Sequence, residues 1–387
     1  MAVRAQAIEK IKRCFAAEQA NPPVPHKYGD IPVTYEAVTA EWLTSTLARD
    51  ARPGTFVQKF TLGPRDTGSF NRRRILLEWT GPDADTMPKS VFCKAAQDLV
   101  NRIMLSNGGT LSELAFYRHV RPRLPSTIAT AEALFAGYDP DSWASIIVMQ
   151  DMPTATFCSY ETVLSKEQFC EQFELLAQLH GRFYASTEPF FGDLITFQQR
   201  FNNLVANLDY ENSCCNGFRA AQPQIPPRLF AREAEVWPAT VKCVERNGAL
   251  TPRLIHGDVH LGNWFITPDH HMGLTDWQVL SCGHWSRDLA YVLGTGVSVE
   301  RRREWEKEMV EVYVAAHAKA GGPTVSVDEA WLELRRQSLA ALAYWTCTLT
   351  PSASMPDMQP EAPTREFIKR LSALVDDHDA LDAFEGL

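Results

Sequence analysis

The chain of 387 residues is expected to fold as an α+β protein in two lobes, a small antiparallel-sheet lobe and then a larger, mainly helical one. Three observations carry that expectation. Strand-like runs bounded by turn signals crowd into the part before about residue 150. Long segments with apolar residues at helical spacing follow. A strand lysine and a helix glutamate precede the last apolar strand of the first part, whereas a set of carboxylates and an amide comes after it. The length accommodates two lobes. The expected boundaries are a helical extension at 1–34, the first lobe at 35–150 and the second at 151–387.

In chain order, Ile8, Ile11 and Phe15 share one face of an N-terminal helix, cut off from the main body by Asn21-Pro22-Pro23-Val24-Pro25. That helix reads either as a piece packed on a lobe or as an oligomer contact. A helix at 40–47 precedes a strand at 55–62. The run 63–69, which ends in Gly68 and Ser69, reads as a turn-rich loop, and a strand resumes at 71–79. The loop alone is equally a plain hairpin turn. The apolar strand at 90–96 carries Lys94, whose ammonium is costly to bury unless it meets an anion. Glu113 lies beside the inner face of the next helix, which carries Leu114 and Tyr117. The plainer readings are a lysine in solvent and an exposed helix charge. Another apolar strand runs into Gln150, Asp151 and Met152.

In the second part, a helix at 167–186 lines up Phe169, Phe173, Leu176, His180 and Tyr184. His180 there reads as a core histidine with a satisfied hydrogen bond. A helix begins near Ser286, which is available as its N-cap, and helices follow at 300–320 and 328–347.

The chemistry concentrates in His256-Gly257-Asp258-Val259-His260-Leu261-Gly262-Asn263, followed by Asp276-Trp277-Gln278. Phosphoryl transfer from ATP needs a carboxylate to orient the attacking hydroxyl and accept its proton. It also needs oxygen ligands for magnesium. Asp258 supplies the first, and Asn263 with Asp276 the second. The spacing from Asp258 to Asn263 matches the catalytic loop of protein kinases. Between them and Asp276, a short β-rich run, a polar turn at 268–271 and a second run predict a hairpin that returns Asp276 to the end where Asn263 sits. Taken singly, Asp258 is equally a turn residue and Asp276 a strand-end carboxylate. His256 and His260 do not read as a zinc pair, because the stretch has no His-Glu-x-x-His and Gly257 disfavours continuous helix.

This pattern resembles the aminoglycoside phosphotransferase and choline kinase group of kinase-like enzymes, and among its branches it is most similar to the ecdysteroid-kinase-like one. The resemblance extends from about residue 35 to about residue 350. It implies a protein-kinase-like fold and an ATP- and magnesium-dependent transfer, with Asp258 as catalytic base and Asn263 and Asp276 as magnesium ligands. By the same resemblance, Lys94 would hold the nucleotide phosphates and Glu113 would fix Lys94. Gly68 and Ser69 would offer backbone N–H groups to phosphate, backbone near Gln150 and Met152 would bind adenine, and Asp288 would support the catalytic loop. Gly257 stands where protein kinases usually carry Arg, and Trp277-Gln278 replaces Phe-Gly. No Ala-Pro-Glu follows, which points to a small-molecule hydroxyl as acceptor.

Composition narrows the class. A formal charge of −9 disfavours a general nucleic-acid binder. No apolar run is long enough to span a bilayer, and Met1-Ala2-Val3-Arg4-Ala5-Gln6 lacks the apolar core of a secretory signal. Nine cysteines without a Cys-x-x-Cys pair fit scattered reduced thiols, so a cytoplasmic protein is expected. Trp285, Tyr344 and Trp345 read either as core, the commoner place for aromatics at helical spacing, or as the lining of an apolar pocket. The second reading points to a bulky apolar or secondary-metabolite alcohol as acceptor, with aminoglycosides and amino alcohols as alternatives. The competing class is an inactive, kinase-like nucleotide-binding scaffold. Retention of Lys94, Asp258, Asn263 and Asp276 argues against it. The oligomeric state is left open.

Overall fold

The structure, a computed structural model, describes residues 2–184, 186, 188–353, 355 and 358–384. Two compact units divide the chain. Met1–Pro122 with Ala131–Pro153 forms the first, and Arg123–Thr130 with Thr154–Leu387 the second.

The first unit contains α1 (Ala2–Ala20), α2 (Ala40–Leu47), β1 (Phe56–Thr67), β2 (Asn71–Thr80) and β3 (Ser90–Ala96). It continues with α3 (Leu99–Leu105), α4 (Gly109–Ala115), β4 (Ala133–Tyr138) and β5 (Ser145–Gln150). The five strands form one sheet in the order β1-β2-β3-β5-β4, antiparallel at every neighbour. Alternation along the strands sends Val57, Ile75, Val91 and Val148 to one face, where they bury against Trp42 and Leu43 of α2. Thr39 caps α2 by accepting the Trp42 N–H. The N-terminal helix α1 packs on α3, where Glu18 meets the fully buried guanidinium of Arg102 and Arg4 reaches the Ile103 carbonyl.

One local expectation is corrected here. Residues 63–67 are not a loop, because β1 runs on to Thr67 and pairs Arg65 with Arg73. Pro64 has no N–H for the ladder, so the strand skips register between Leu62 and Arg65 and then resumes. The turn shrinks to Gly68, Ser69 and Phe70.

The second unit is mainly helical. It opens with β6 (Thr156–Phe157), α5 (Lys166–Arg182), α6 (Phe197–Asn207), α7 (Tyr210–Ala220), α8 (Pro227–Phe230) and α9 (Glu233–Ala249). Short strands β7 (Arg253–Ile255), β8 (Trp264–Ile266), β9 (Met272–Leu274) and β10 (Ser281–Gly283) follow. The chain then forms α10 (Ser286–Thr295), α11 (Val299–Lys319), α12 (Val327–Leu349) and α13 (Glu361–Asp377). Ser165 and Gln168 close a capping box at the start of α5. Helix α10 is buried along its whole length and touches α5, α11, α12 and α13. Ser286 does not cap it. The helix starts after Trp285, and the Ser286 hydroxyl meets His284 Nδ1 at 2.6 Å instead.

Candidate active site

β7 delivers the chain into the stretch from His256, and the turn there depends on Gly257. Its φ is +82°, and a Cβ would lie 2.9 Å from the Val279 carbonyl oxygen and from Val279 Cγ1. The backbone of this turn is tied to α10. Asp288, fully buried, accepts the His256 N–H at 2.7 Å and the Gly257 N–H at 2.8 Å. Burial alone would raise the Asp288 carboxyl. The hydrogen bond from His180, with the field of neighbouring basic groups including Arg287, holds it below the usual carboxylate range. His180 also meets the Tyr313 hydroxyl at 2.8 Å, so it is a core histidine that braces Asp288.

His256 shapes the loop. Its Nδ1 accepts the Asp258 N–H, which makes Nε2 the protonated nitrogen, and Nε2 donates to the Thr275 carbonyl at 3.0 Å. Burial pushes its pKa down, so the ring is neutral. These two bonds join the loop to the segment just before Asp276.

The half-buried Asp258 carboxylate is held from two sides. Oδ1 accepts from the Tyr291 hydroxyl at 2.9 Å, and the Asn263 amide approaches Oδ2 at 3.3 Å. Asn263 Nδ2 also donates to the Asp258 carbonyl at 2.7 Å. With the amide nitrogen so committed, Oδ1 is the atom Asn263 can offer to a cation. Strands β8 and β9 pair Trp264 with Leu274, and the Thr275 N–H donates to the Asn263 carbonyl at 2.9 Å. This hairpin brings Asn263 and Asp276 to one end. Asp276 adopts φ +65°, a conformation uncommon outside glycine that Asp tolerates better than most residues.

His260 accepts the Gly262 N–H on Nδ1 and turns Nε2 toward Asp258 Oδ2 at 3.7 Å. Its ring lies among Tyr291, Trp345 and Phe367, with centroids at 6.3, 5.1 and 5.6 Å. Trp345 therefore sits beside the loop that carries Asp258. Tyr344 stacks under Arg287, whose guanidinium lies 5.2 Å from its ring and 4.5 Å from that of Tyr291. Trp285 belongs elsewhere, packed on His284, Tyr313 and His317.

In the first unit, the Lys94 ammonium lies 2.7 Å from Glu113 Oε1 and 4.8 Å from the centre of the Phe70 ring, with both charged residues buried. β3 registers Lys94 between Arg72 and Ile147. Gly68 and Ser69 form the β1–β2 turn, and the Asn101 amide clamps both of their carbonyls at 2.8 and 2.7 Å. Gln150 is the exposed last residue of β5, and its N–H donates to the Glu132 carbonyl. Met152 follows it, half-buried. Among the described residues, no group of three or more His, Cys, Asp and Glu side chains is arranged to enclose a metal ion.

Tyr291 and Arg287 are the residues that sequence reasoning passed over. Each lies on α10 and reaches the loop only because that helix is buried beside it. A tyrosine in an apolar helix gives no local sign of this.

The model of the phosphotransferase enzyme family, APH, matches residues 102–334, more than half of the chain. The chain belongs to this family. It is thus a phosphotransferase, and its α+β architecture is the one expected from the order of its strands and helices. Solved structures similar to this phosphotransferase include choline kinase LicA from Streptococcus pneumoniae. That likeness has 11% identity, covers 86% of this chain and 98% of that chain, and has a TM-score of 0.46. Plasmodium vivax ethanolamine kinase shares 10% identity over 91% of this chain and 90% of its own, with a TM-score of 0.47. Spectinomycin phosphotransferase, in complex with ADP and spectinomycin, shares 14% over 84% and 94%, with a TM-score of 0.44. No curated protein matches the chain. Among the described residues, no helix is long and apolar enough to cross a membrane.

Proposed function

We propose that this phosphotransferase transfers the γ-phosphoryl group of ATP, with magnesium, to a hydroxyl of a small molecule. One observation carries the reading: a carboxylate held from two sides lies beside the Asn263 side chain, and one hairpin returns the chain from Asn263 to Asp276. Asp258 orients the acceptor hydroxyl and takes its proton as the new O–P bond forms. Asn263 and Asp276 offer hard oxygen atoms, the donor type magnesium prefers, and would hold it. Magnesium, when bound, neutralises phosphate charge. Lys94, kept in place by Glu113, contributes a cation for the nucleotide phosphates. Backbone N–H groups near Gly68 and Ser69 serve the phosphates, and backbone near Gln150 and Met152 serves adenine.

For the acceptor we favour a bulky apolar alcohol. Rings of Trp345, Phe367 and Tyr344 lie around His260 and Arg287 near the base. A buried guanidinium stacked on Tyr291, whose hydroxyl touches Asp258, works against a polycationic aminoglycoside and against a quaternary amino alcohol.

The test is incubation with ATP, magnesium and a panel of sterol-like, aromatic and amino alcohols, followed by mass spectrometry for products carrying one added phosphoryl group. Phosphorylated apolar alcohols from the wild type, and none from Asp258→Asn, are expected. A folded, nucleotide-binding protein that phosphorylates no hydroxyl compound would overturn the assignment.

A further inference from the structure

We infer that Tyr291 is a positioning residue that fixes the rotation of the Asp258 carboxylate, engaging Oδ1 so that Oδ2 is the oxygen presented to the acceptor hydroxyl. The inference rests on the reading of Asp258 as the base. Its geometry is independent of the acceptor. The Tyr291 hydroxyl lies 2.9 Å from Asp258 Oδ1, and the residue is 1% exposed. Its ring is confined by the Arg287 guanidinium on one side and by His260 on another.

Position on the helix strengthens the case. Asp288 and Tyr291 are three residues apart on α10 and so share a face. Asp288 takes the two backbone N–H groups just before Asp258, while Tyr291 takes the Asp258 side chain. A single turn of a buried helix thereby fixes both the path of the loop and the aim of its carboxylate. Asn263 constrains the opposite oxygen only weakly, at 3.3 Å. Tyr291 is therefore the stronger of the two restraints on rotation.

The direction of the hydrogen bond follows from acid strength. Burial first, and then the negative charge of Asp258, push the phenol far above its ordinary value, so Tyr291 donates and does not exchange its proton. Removing the hydroxyl should free the carboxylate to rotate and lower the rate together, a pairing that loss of packing alone does not produce.

The experiment uses the full chain with Tyr291→Phe and with 3-fluorotyrosine at position 291, a stronger donor of nearly the same shape. Crystal structures of the wild type and both variants read the plane of the Asp258 carboxylate directly. The carboxylate should rotate or take more than one orientation in Tyr291→Phe and keep the wild-type orientation in the fluorotyrosine protein. Hydrolysis of magnesium-ATP, with water as acceptor, should show kcat lowered roughly 3- to 30-fold in Tyr291→Phe. KM for ATP should stay within about twofold. A carboxylate that loses its single orientation in Tyr291→Phe and keeps it in the fluorotyrosine protein supports the inference, and an unchanged orientation in Tyr291→Phe overturns it. A wild type that does not turn over ATP counts against the kinase reading alone, because the carboxylate orientation still decides the role of Tyr291.

Discussion

At the scale of single residues, charge and geometry assign separable effects to Asp258 and Asp276. Asp258→Asn keeps size and hydrogen bonding and removes the charge. Turnover should fall by roughly 10²–10⁴-fold, about 3–5 kcal/mol of barrier. ATP affinity, measured by calorimetry, should change little, since Lys94 and the proposed metal ligands are untouched. A parallel loss of ATP affinity would place Asp258 on the metal instead. Asp276 is held at φ +65°, where glycine is at ease. Asp276→Gly should therefore leave stability within about 1 kcal/mol of wild type while magnesium-dependent turnover drops more than roughly 100-fold. Urea unfolding and a magnesium titration of turnover test the two halves separately, and undiminished turnover would remove Asp276 from the site. The sequence made these residues legible because their spacing is local: five residues from Asp258 to Asn263 and thirteen more to Asp276. The Tyr291 contact was not legible, because it joins residues 33 apart through the packing of α10.

Elements carry the next level of control. Helix α10 acts on the loop through Asp288, whose carboxylate satisfies two buried N–H groups and meets a buried histidine. Asp288→Ala leaves all three without that acceptor and should destabilise the protein by about 3–5 kcal/mol. Asp288→Asn keeps one acceptor oxygen and should cost about half as much. Chemical denaturation of both variants measures this, and equal costs would mean that the carboxylate does not bridge the two N–H groups. Element type was legible wherever periodicity was long and clean, as in α5, α11, α12 and strand β3. It was not legible where one residue overrode the local pattern. Pro64 and Gly63 advertise a turn, yet the ladder closes beyond them at Arg65, so β1 absorbs the residues as a bulge. Ser286 has the right chemistry for a cap, but His284 takes its hydroxyl and the helix begins at Ser286 itself.

For the molecule as a whole, acid sensitivity follows from histidines buried without charge. His284 is pushed down to about 3 by burial, with the positive field of Arg253 and other basic groups adding to it, and His317 to about 4, again chiefly by burial. Unfolded, both titrate near 6.5, the ordinary value. Between that value and the folded ones the unfolded chain binds more protons, so stability rises with pH through this window and is lost as pH falls below 6.5. Each histidine contributes a slope approaching about 1.4 kcal/mol per pH unit. His271 acts in the opposite sense: Glu171 raises its pKa, so its contribution is present below the unfolded value and fades as pH rises through the folded one. That pair is exposed and screened, so the buried histidines should dominate. Urea midpoints should therefore drop steadily from pH 7 to pH 5, a range above the ordinary titration of most carboxylates. His284→Gln, which cannot take up a proton, should flatten that dependence even if it lowers stability at pH 7. An equally steep dependence in His284→Gln would locate the acid sensitivity in other groups.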